Sequence, residues 1–380
     1  MYNLNIYKGS SVSNLKRRLS IQNSNALLKL RLTNANYHFY SYDFENSLKD
    51  YTDTIELNPV LRQAWLDITE PLLNENRSED ALLIIKYIKS ITPYSNDLHW
   101  DLGLQLVRIN EQELAVNTLV EVAQNNYWKR AHVFILFDKL DVNKKYIIER
   151  LGSFELLKAY LEHLISKRYT TDALYLWENM ANKHDDLDEN LKDRFVEFLI
   201  SQNKYKYASD IWHKGNKELH GTNLIWNGDF EYDIENKGFD WRLTNTREAN
   251  IEIDRIERYS GENSLKIEFN GEKNINFHHV KKYIPVEPET EYLLSYAQKN
   301  SDITTKSGVY VEIMCGNSRV TTKTEDVSGS SPWIKKEKLF ATESGCEGVM
   351  IQLKRDPVRK LNNKISGTVW FDDISLEAIH

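Results

Sequence analysis

Long apolar runs are missing from this 380-residue sequence: stretches such as Val133–Phe137 stop far short of the roughly 20 residues that span a bilayer, so no membrane span is expected. A basic excess is missing too. Lys+Arg 49 against Asp+Glu 56 gives a formal net charge of −7, and neither half of the chain carries the positive surplus that grips phosphate backbones, which excludes nucleic acid as a partner. Cysteine occurs only twice, and a chain this long is not a small disulfide knot. Signatures of common chemistry are absent: no GxxxxGK or GxGxxG phosphate loop, no GxSxG elbow, no HExxH and no paired CxxC. The run His184-Asp185-Asp186 lies in the acidic stretch NKHDDLDEN and reads as a solvated loop, and His278 and His279, adjacent on a strand, are expected to point to opposite faces. A protein that is not an enzyme is the expectation.

What is present is an ordinary globular composition, 41% hydrophobic and 28% charged, at a length that suggests two or three domains. The first 42 residues hold no acid but carry Lys8, Lys16, Arg17, Arg18, Lys29 and Arg31. Residues 1–23 read as a basic, solvated leader without the apolar core of a secretory signal, which points to the cytoplasm.

Small residues then recur at a fixed interval. Ser47, Ala81 and Ala115 are 34 residues apart, as are Pro59 and Pro93, and each small residue is followed four positions on by a bulky one, Tyr51, Ile85 and Leu119. Small against large at i and i+4 lets one helix backbone approach its neighbour closely while the larger side chain fills the gap. Trp65 with Ile68, and Leu102 followed by Gly103, fit the preceding helices. After Tyr127 the interval slips, and it resumes with Ala173 and Trp177, then Ala208 and Trp212. The interval resembles that of tetratricopeptide repeats, which implies an α-solenoid over residues 24–220 with a concave groove for a protein partner.

Beyond about residue 220 the hydrophobic period becomes two. Segments 249–256, 264–269, 290–297, 308–314, 333–340, 348–354 and 367–376 alternate or run β-rich between Gly, Asn, Ser and Pro breakers. The fold class is therefore a multidomain α then β chain, an α-solenoid followed by an antiparallel β-sandwich at 221–380, with the boundary in HKGNKELHGTN, residues 213–223. With Val309, Val311 and Ile313 committed to the core, Tyr310 and Glu312 face outward; with Val349, Ile351 and Leu353 inside, Gln352 and Lys354 do the same. Aromatic plates and forked polar groups are what a sugar ring needs, so Tyr310, Glu312 and Gln352, with Trp241, Trp333 and Arg355, are the candidate carbohydrate contacts. Each tryptophan has core packing or edge sealing as its alternative, and Lys354 with Arg355 has a solvated strand end.

The opening NLIWNGDFE with GFDWRL after it, the central GENSLKIEF, the strand YLLSYAQK and the closing GTVWFDDISLE resemble, over residues 223–377, the galactose-binding-like jelly rolls of carbohydrate-binding modules attached to xylanases and cellulases. The whole chain resembles bacterial tetratricopeptide proteins that end in such a module and are associated with envelope polysaccharides. That resemblance implies a structural calcium ion (Ca2+) where the first and last strands meet, held by Glu231 and Asp372 with Asp373 or the Gly228 carbonyl as further ligands. Asp372 shares strand parity with Ile374 and Leu376 and would point inward with them; a carboxylate accepting backbone N–H bonds, or paired with Arg or Lys, is the alternative. Cys315 and Cys346, 31 residues apart, are either two buried thiols or a disulfide that would contribute about 3–4 kcal/mol by closing its loop, and the resemblance favours the bridge. A bridge points to the periplasm or cell envelope, against the missing signal. The expected function is non-catalytic: a scaffold whose solenoid holds a protein and whose jelly roll binds a carbohydrate. The alternatives are a pure protein-interaction adaptor with a structural β-domain and an accessory subunit of a polysaccharide-processing enzyme.

Overall fold

A computed structural model describes residues 12–22, 25–39, 43–92, 94–183, 188–214, 222–316, 319–359 and 363–379. Lys8, Pro93, the His184-Asp185-Asp186 run and residues 215–221 of the expected boundary lie outside the described residues. Two compact units divide between Lys183 and His184. The change of hydrophobic rhythm lies further along, so the last pair of helices counts with the β-strands.

The first unit is helical: α1 (Val12–Ile21), α2 (Ala26–Phe39), α3 (Phe44–Leu57), α4 (Arg62–Asp67), α5 (Thr69–Asn74), α6 (Ser78–Ile91), α7 (Asn96–Arg108), α8 (Gln112–Asn125), α9 (Arg130–Phe137), α10 (Lys144–Arg150), α11 (Phe154–Ser166) and α12 (Thr170–Lys183). Neighbours in sequence pack on one another, α2 on α3, α5 on α6, α7 on α8 and α11 on α12. The small positions at the 34-residue interval are where this happens. Ser47, Ala81 and Ala115 are wholly buried, and so are Tyr51, Ile85 and Leu119 one turn later. At Gly103 a Cβ would stand 2.6 Å from Leu119 Cδ2, so α7 and α8 meet through the absence of a side chain.

The turns between paired helices share a device the spacing did not reveal. Asn76, Asn110 and Arg168 adopt left-handed φ of 59°, 61° and 58°. Just past each, the N–H groups of Arg77, Glu111 and Tyr169 donate back to the carbonyls of Leu72, Leu106 and Leu164 at 2.8, 3.0 and 3.0 Å. This closure satisfies carbonyls that a helix end leaves unpaired. Where the interval slips after Tyr127, a 3-10 turn at Tyr127–Lys129 and two short helices, α9 and α10, replace the regular pair.

In the second unit, α13 (Glu189–Ser201) and α14 (Tyr205–His213) precede β1 (Arg242–Leu243), β2 (Ala249–Asp254), β3 (Ser264–Asn270), β4 (Phe277–Pro285), β5 (Glu291–Ile303), β6 (Tyr310–Cys315), β7 (Arg319–Lys323), β8 (Gly329–Ala341), β9 (Gly348–Arg355) and β10 (Ser366–Ala378). The same turn joins the helices, with Asn203 at φ 57° and Lys204 N–H on Leu199 O at 2.8 Å. Two antiparallel five-stranded sheets, ordered β1-β4-β9-β6-β7 and β2-β3-β10-β5-β8, face each other. All seven strand segments expected from the period fall on these strands. Val311, Ile313, Val349, Ile351 and Leu353 from one sheet meet Leu265, Ile267, Leu294, Tyr296, Val369 and Phe371 from the other in one buried core. At one end Cys315 and Cys346 are joined by a disulfide, with Cα atoms 5.8 Å apart.

The helical pair seats on the sandwich. Glu197 accepts from Gly238 N–H at 2.6 Å and from the Arg242 guanidinium at 2.8 Å, and Lys237 pairs with Asp193 at 2.6 Å. The Trp212 ring packs on the backbone at Gly238, and the Tyr205 ring lies so close to Gly348 that a Cβ there would be 2.2 Å from it. Gly348→Val should therefore cost about 1–3 kcal/mol of stability. Urea unfolding of a double-mutant cycle with Tyr205→Ala checks the cause: the loss should shrink when the ring is gone, and an equal loss in both backgrounds would show that the contact does not matter.

Candidate functional site

The outer face of the β1-β4-β9-β6-β7 sheet gathers the polar side chains that alternation pushes out of the core. Register places Tyr310 opposite Lys354, Lys281 and Glu312 on either side of Gln352, and Tyr283 and Met314 on either side of Met350. Tyr310, Glu312 and Gln352 thus share one face as the alternation implied, but all three are buried, where the alternation had turned them outward. They are held tightly. Lys354 Nζ donates to both Glu312 carboxylate oxygens at 3.0 Å, and Gln352 Nε2 donates to His278 O at 2.9 Å. Tyr310 Oη donates to Asp356 Oδ2 at 2.7 Å, the Lys323 ammonium lies 5.6 Å from its ring, and burial, with the Asp356 and Glu312 charges, raises its pKa well above the usual phenol. Tyr205 of α14 covers the other end of this face, beside Gly348 and 6.3 Å from the Tyr283 ring.

The remaining candidates lie elsewhere. Arg355 is fully buried, because it shares parity with Leu353 and turns inward at the strand end. Its guanidinium donates to Asn274 Oδ1 at 2.9 Å, Ile275 O at 2.5 Å, Asn363 O at 3.1 Å and Ser307 O at 3.4 Å, so it knits loops together and offers no fork to a ligand. Burial lowers its pKa. Trp241 is also a core residue, its Nε1 donating to Asn227 O at 2.7 Å and its ring 5.3 Å from that of Phe230. Trp333 stands on β8 of the opposite sheet, partly buried beside Tyr259 at 5.9 Å. Lys282, which the period alone would turn into the core, is buried and donates to Phe239 O at 2.5 Å with its ammonium 5.3 Å from the Trp241 ring.

Two irregularities overturn expectations built on strict alternation. A bulge between Asp372 and Ser375 resets the parity of β10, so Asp372 lies on the side opposite core residue Phe371 and does not point inward with Ile374 and Leu376. A bulge between Phe277 and Val280 stacks the His278 and His279 rings at 4.9 Å instead of sending them to opposite faces.

Asp372 is nevertheless buried, because the loop at Tyr259–Asn263 closes over it. Its Oδ2 accepts the N–H groups of Tyr259 and Ser260 at 2.8 and 3.1 Å, and its Oδ1 accepts Asp373 N–H at 2.7 Å. Burial outweighs these donors and pushes its carboxyl up to about 6. Glu231 Oε1 takes the next N–H groups of the same loop, Glu262 at 2.7 Å and Asn263 at 3.0 Å, while Asp373 accepts from Ser260 Oγ at 2.7 Å and Gly228 O from Ile374 N–H at 2.9 Å. Among the described residues no three His, Cys, Asp or Glu side chains gather as a metal-holding group.

No protein-family model and no curated protein matches the chain. Solved structures that align with it include one described as CBM4 structure and function, at 14% identity over 41% of this chain and 99% of that one with a TM-score of 0.31. Others are a CBM61 module in complex with β-1,4-galactotriose, at 12% over 42% and 100% with a TM-score of 0.31, and the CBM22-1 xylan-binding domain of Paenibacillus barcinonensis Xyn10C, at 13% over 40% and 92% with a TM-score of 0.27. Similarity of this degree says nothing of ligand or activity.

Removing the buried guanidinium tests the account of Arg355. Arg355→Met should destabilise the protein by about 3 kcal/mol or more, since several buried acceptors lose their donor together. A melting temperature within a degree or so of the parent would show instead that the loops hold without it.

Proposed function

We propose that the protein is a non-catalytic binding and scaffolding protein, in which the β-sandwich takes a carbohydrate along the outer face of the β1-β4-β9-β6-β7 sheet and the helices of the first unit take a protein partner. The observation that carries the first half is the cross-strand cluster of Tyr310, Glu312, Gln352 and Lys354 on one face. A carboxylate and an amide on adjacent strands, flanked by a phenol and an ammonium, are acceptors and donors of the kind ring hydroxyls pair with. The sequence resemblance to carbohydrate-binding modules points the same way, toward an envelope or exported polysaccharide. For the second half, α6 exposes Leu83, Tyr87 and Ile91, one turn apart on a single stripe.

A second reading, with the sandwich as a purely structural partner of its helices, is favoured by the seat of Tyr205 on Gly348 and by the mutual pairing of the polar groups on the face. Retention of the full-length chain on insoluble polysaccharides and glycan arrays separates the two. We expect retention that falls about tenfold in Glu312→Gln and Tyr310→Phe; no retention on any glycan would leave the structural reading. Loss of a co-purifying protein in Tyr87→Glu would support the partner stripe under either.

Calcium belongs to the same proposal as a structural ion. The donor chemistry fits a hard cation: Glu231 and Asp372 hold the two ends of one short loop, and among the described residues no lysine or arginine pairs with the buried Asp372. When bound, the ion would supply the missing counter-charge, and Glu231 and Asp372 would hold it. Calcium chloride should raise the melting temperature relative to chelator, and Asp372→Asn should erase the rise. An unchanged melting temperature in the parent would leave backbone N–H groups as the sole partners of these carboxylates.

A further inference from the structure

A cavity of ≈ 290 Å³ opens in the sandwich away from the sheet face, between the segment that leads into the fold and the bulge of β10. Trp226 and Tyr232 line one wall, stacked with ring centroids 4.8 Å apart and planes at 25°. Asp373, Ser375 and Lys335 line the rest with Asp229.

The walls are built and held. The Asn227 side chain clamps the backbone of Tyr232 from both sides, accepting its N–H at 3.0 Å and donating to its carbonyl at 2.9 Å. Gly228 O and Ile374 N–H, 2.9 Å apart, tie the two walls together. Three residues with side chains, Asn227, Phe230 and Asp373, sit here in the left-handed region at φ 52°, 59° and 47°, a conformation that is costly for Phe in particular. The fold therefore maintains strained backbone around a concavity whose aromatic plate stays accessible, with Tyr232 51% exposed.

The chemistry selects the ligand class. An aromatic plate beside carboxylates and a hydroxyl suits a sugar ring, whose C–H face stacks while its hydroxyls donate to acceptors. Among the described residues Asp229 has no hydrogen-bond or ion-pair partner of its own. Two carboxylates, Asp229 and Asp373, against the single ammonium of Lys335, which lies 3.7 Å from Glu337, disfavour phosphate, sulfate or a uronic acid. The volume is at the lower end for ligand pockets, about 300–1,000 Å³, and suits one ring, not an extended chain.

We propose that this cavity is a second saccharide subsite that takes a single uncharged pyranose, such as a chain end, with the ring on the Trp226–Tyr232 plate and its hydroxyls on Asp229 and Ser375. The proposal rests on the carbohydrate reading of the sandwich but uses none of the sheet-face residues. Calorimetric titration of the full chain with methyl β-glucoside, methyl β-galactoside, methyl α-mannoside and N-acetylglucosamine tests it. One of these should bind saturably, about tenfold more weakly in Tyr232→Ala and in Asp229→Asn, with melting temperatures unchanged and with Tyr310→Phe without effect. No saturable heat from any of the four overturns the subsite, and so does binding that survives in a cooperatively melting Trp226→Ala/Tyr232→Ala variant. Polysaccharide retention alongside a silent monosaccharide titration removes the subsite and leaves the sheet face standing. Monosaccharide binding without polysaccharide retention supports the subsite and removes the sheet face.

Discussion

Two aromatic rings of one short helix rest directly on the backbone of the sandwich, Trp212 on Gly238 and Tyr205 on Gly348, with Glu197 accepting from Gly238 N–H and Arg242 beside them. Much of the second unit follows from that seat. It draws the α13–α14 pair into the same compact body as the strands, and it occupies the Tyr283 end of the outer sheet face. The polar cluster lies at the other, Tyr310 end of the face. A helix can approach a sheet this closely only where the sheet omits a side chain, so Gly348 decides where the helix sits on this face.

The balance of charge on that surface matters as much as its shape. Glu312 and Lys354 neutralise each other, Tyr310 is committed to Asp356 and Gln352 to a backbone carbonyl. On the carbohydrate reading proposed above, a ligand would exchange these partners for its own hydroxyls, which costs little when each exchanged bond is replaced by another and much when one is left unmade. On that reading, discrimination would rest on complementarity of donors and acceptors, with little contribution from apolar area.

Most of the architecture was legible in the sequence because it is written in period. The switch from a helical rhythm to alternation marks the passage from helices to strands, and Ser47, Ala81 and Ala115 mark where helices touch. Alternation also brought Tyr310, Glu312 and Gln352 to one face. What stayed hidden is what breaks a period. The bulge after Asp372 reverses the side on which that carboxylate lies, and the bulge after Phe277 stacks two histidines. Arg355 keeps the inward parity of Leu353, a placement that became visible only once four buried acceptors were seen around it. The left-handed turns at Asn76 and Asn110 carry the repeat interval too, yet Arg168 fills the same role in the third turn and obscures the signal. Compactness does not follow rhythm either, which is why the division at Lys183 precedes the change of period.

The disulfide has a mechanical consequence. Gly316 and Gly348, which follow closely on Cys315 and Cys346, lie against Asn203 and Tyr205 at the α13–α14 turn, and Gly316 N–H donates to Gly348 O at 2.9 Å. The strand ends that carry the helices are thus riveted to each other by a covalent bond. A tensile load entering through α14 would meet the sandwich at its stapled rim, and the helical pair would peel from its glycine seats before the two strands beneath it could part.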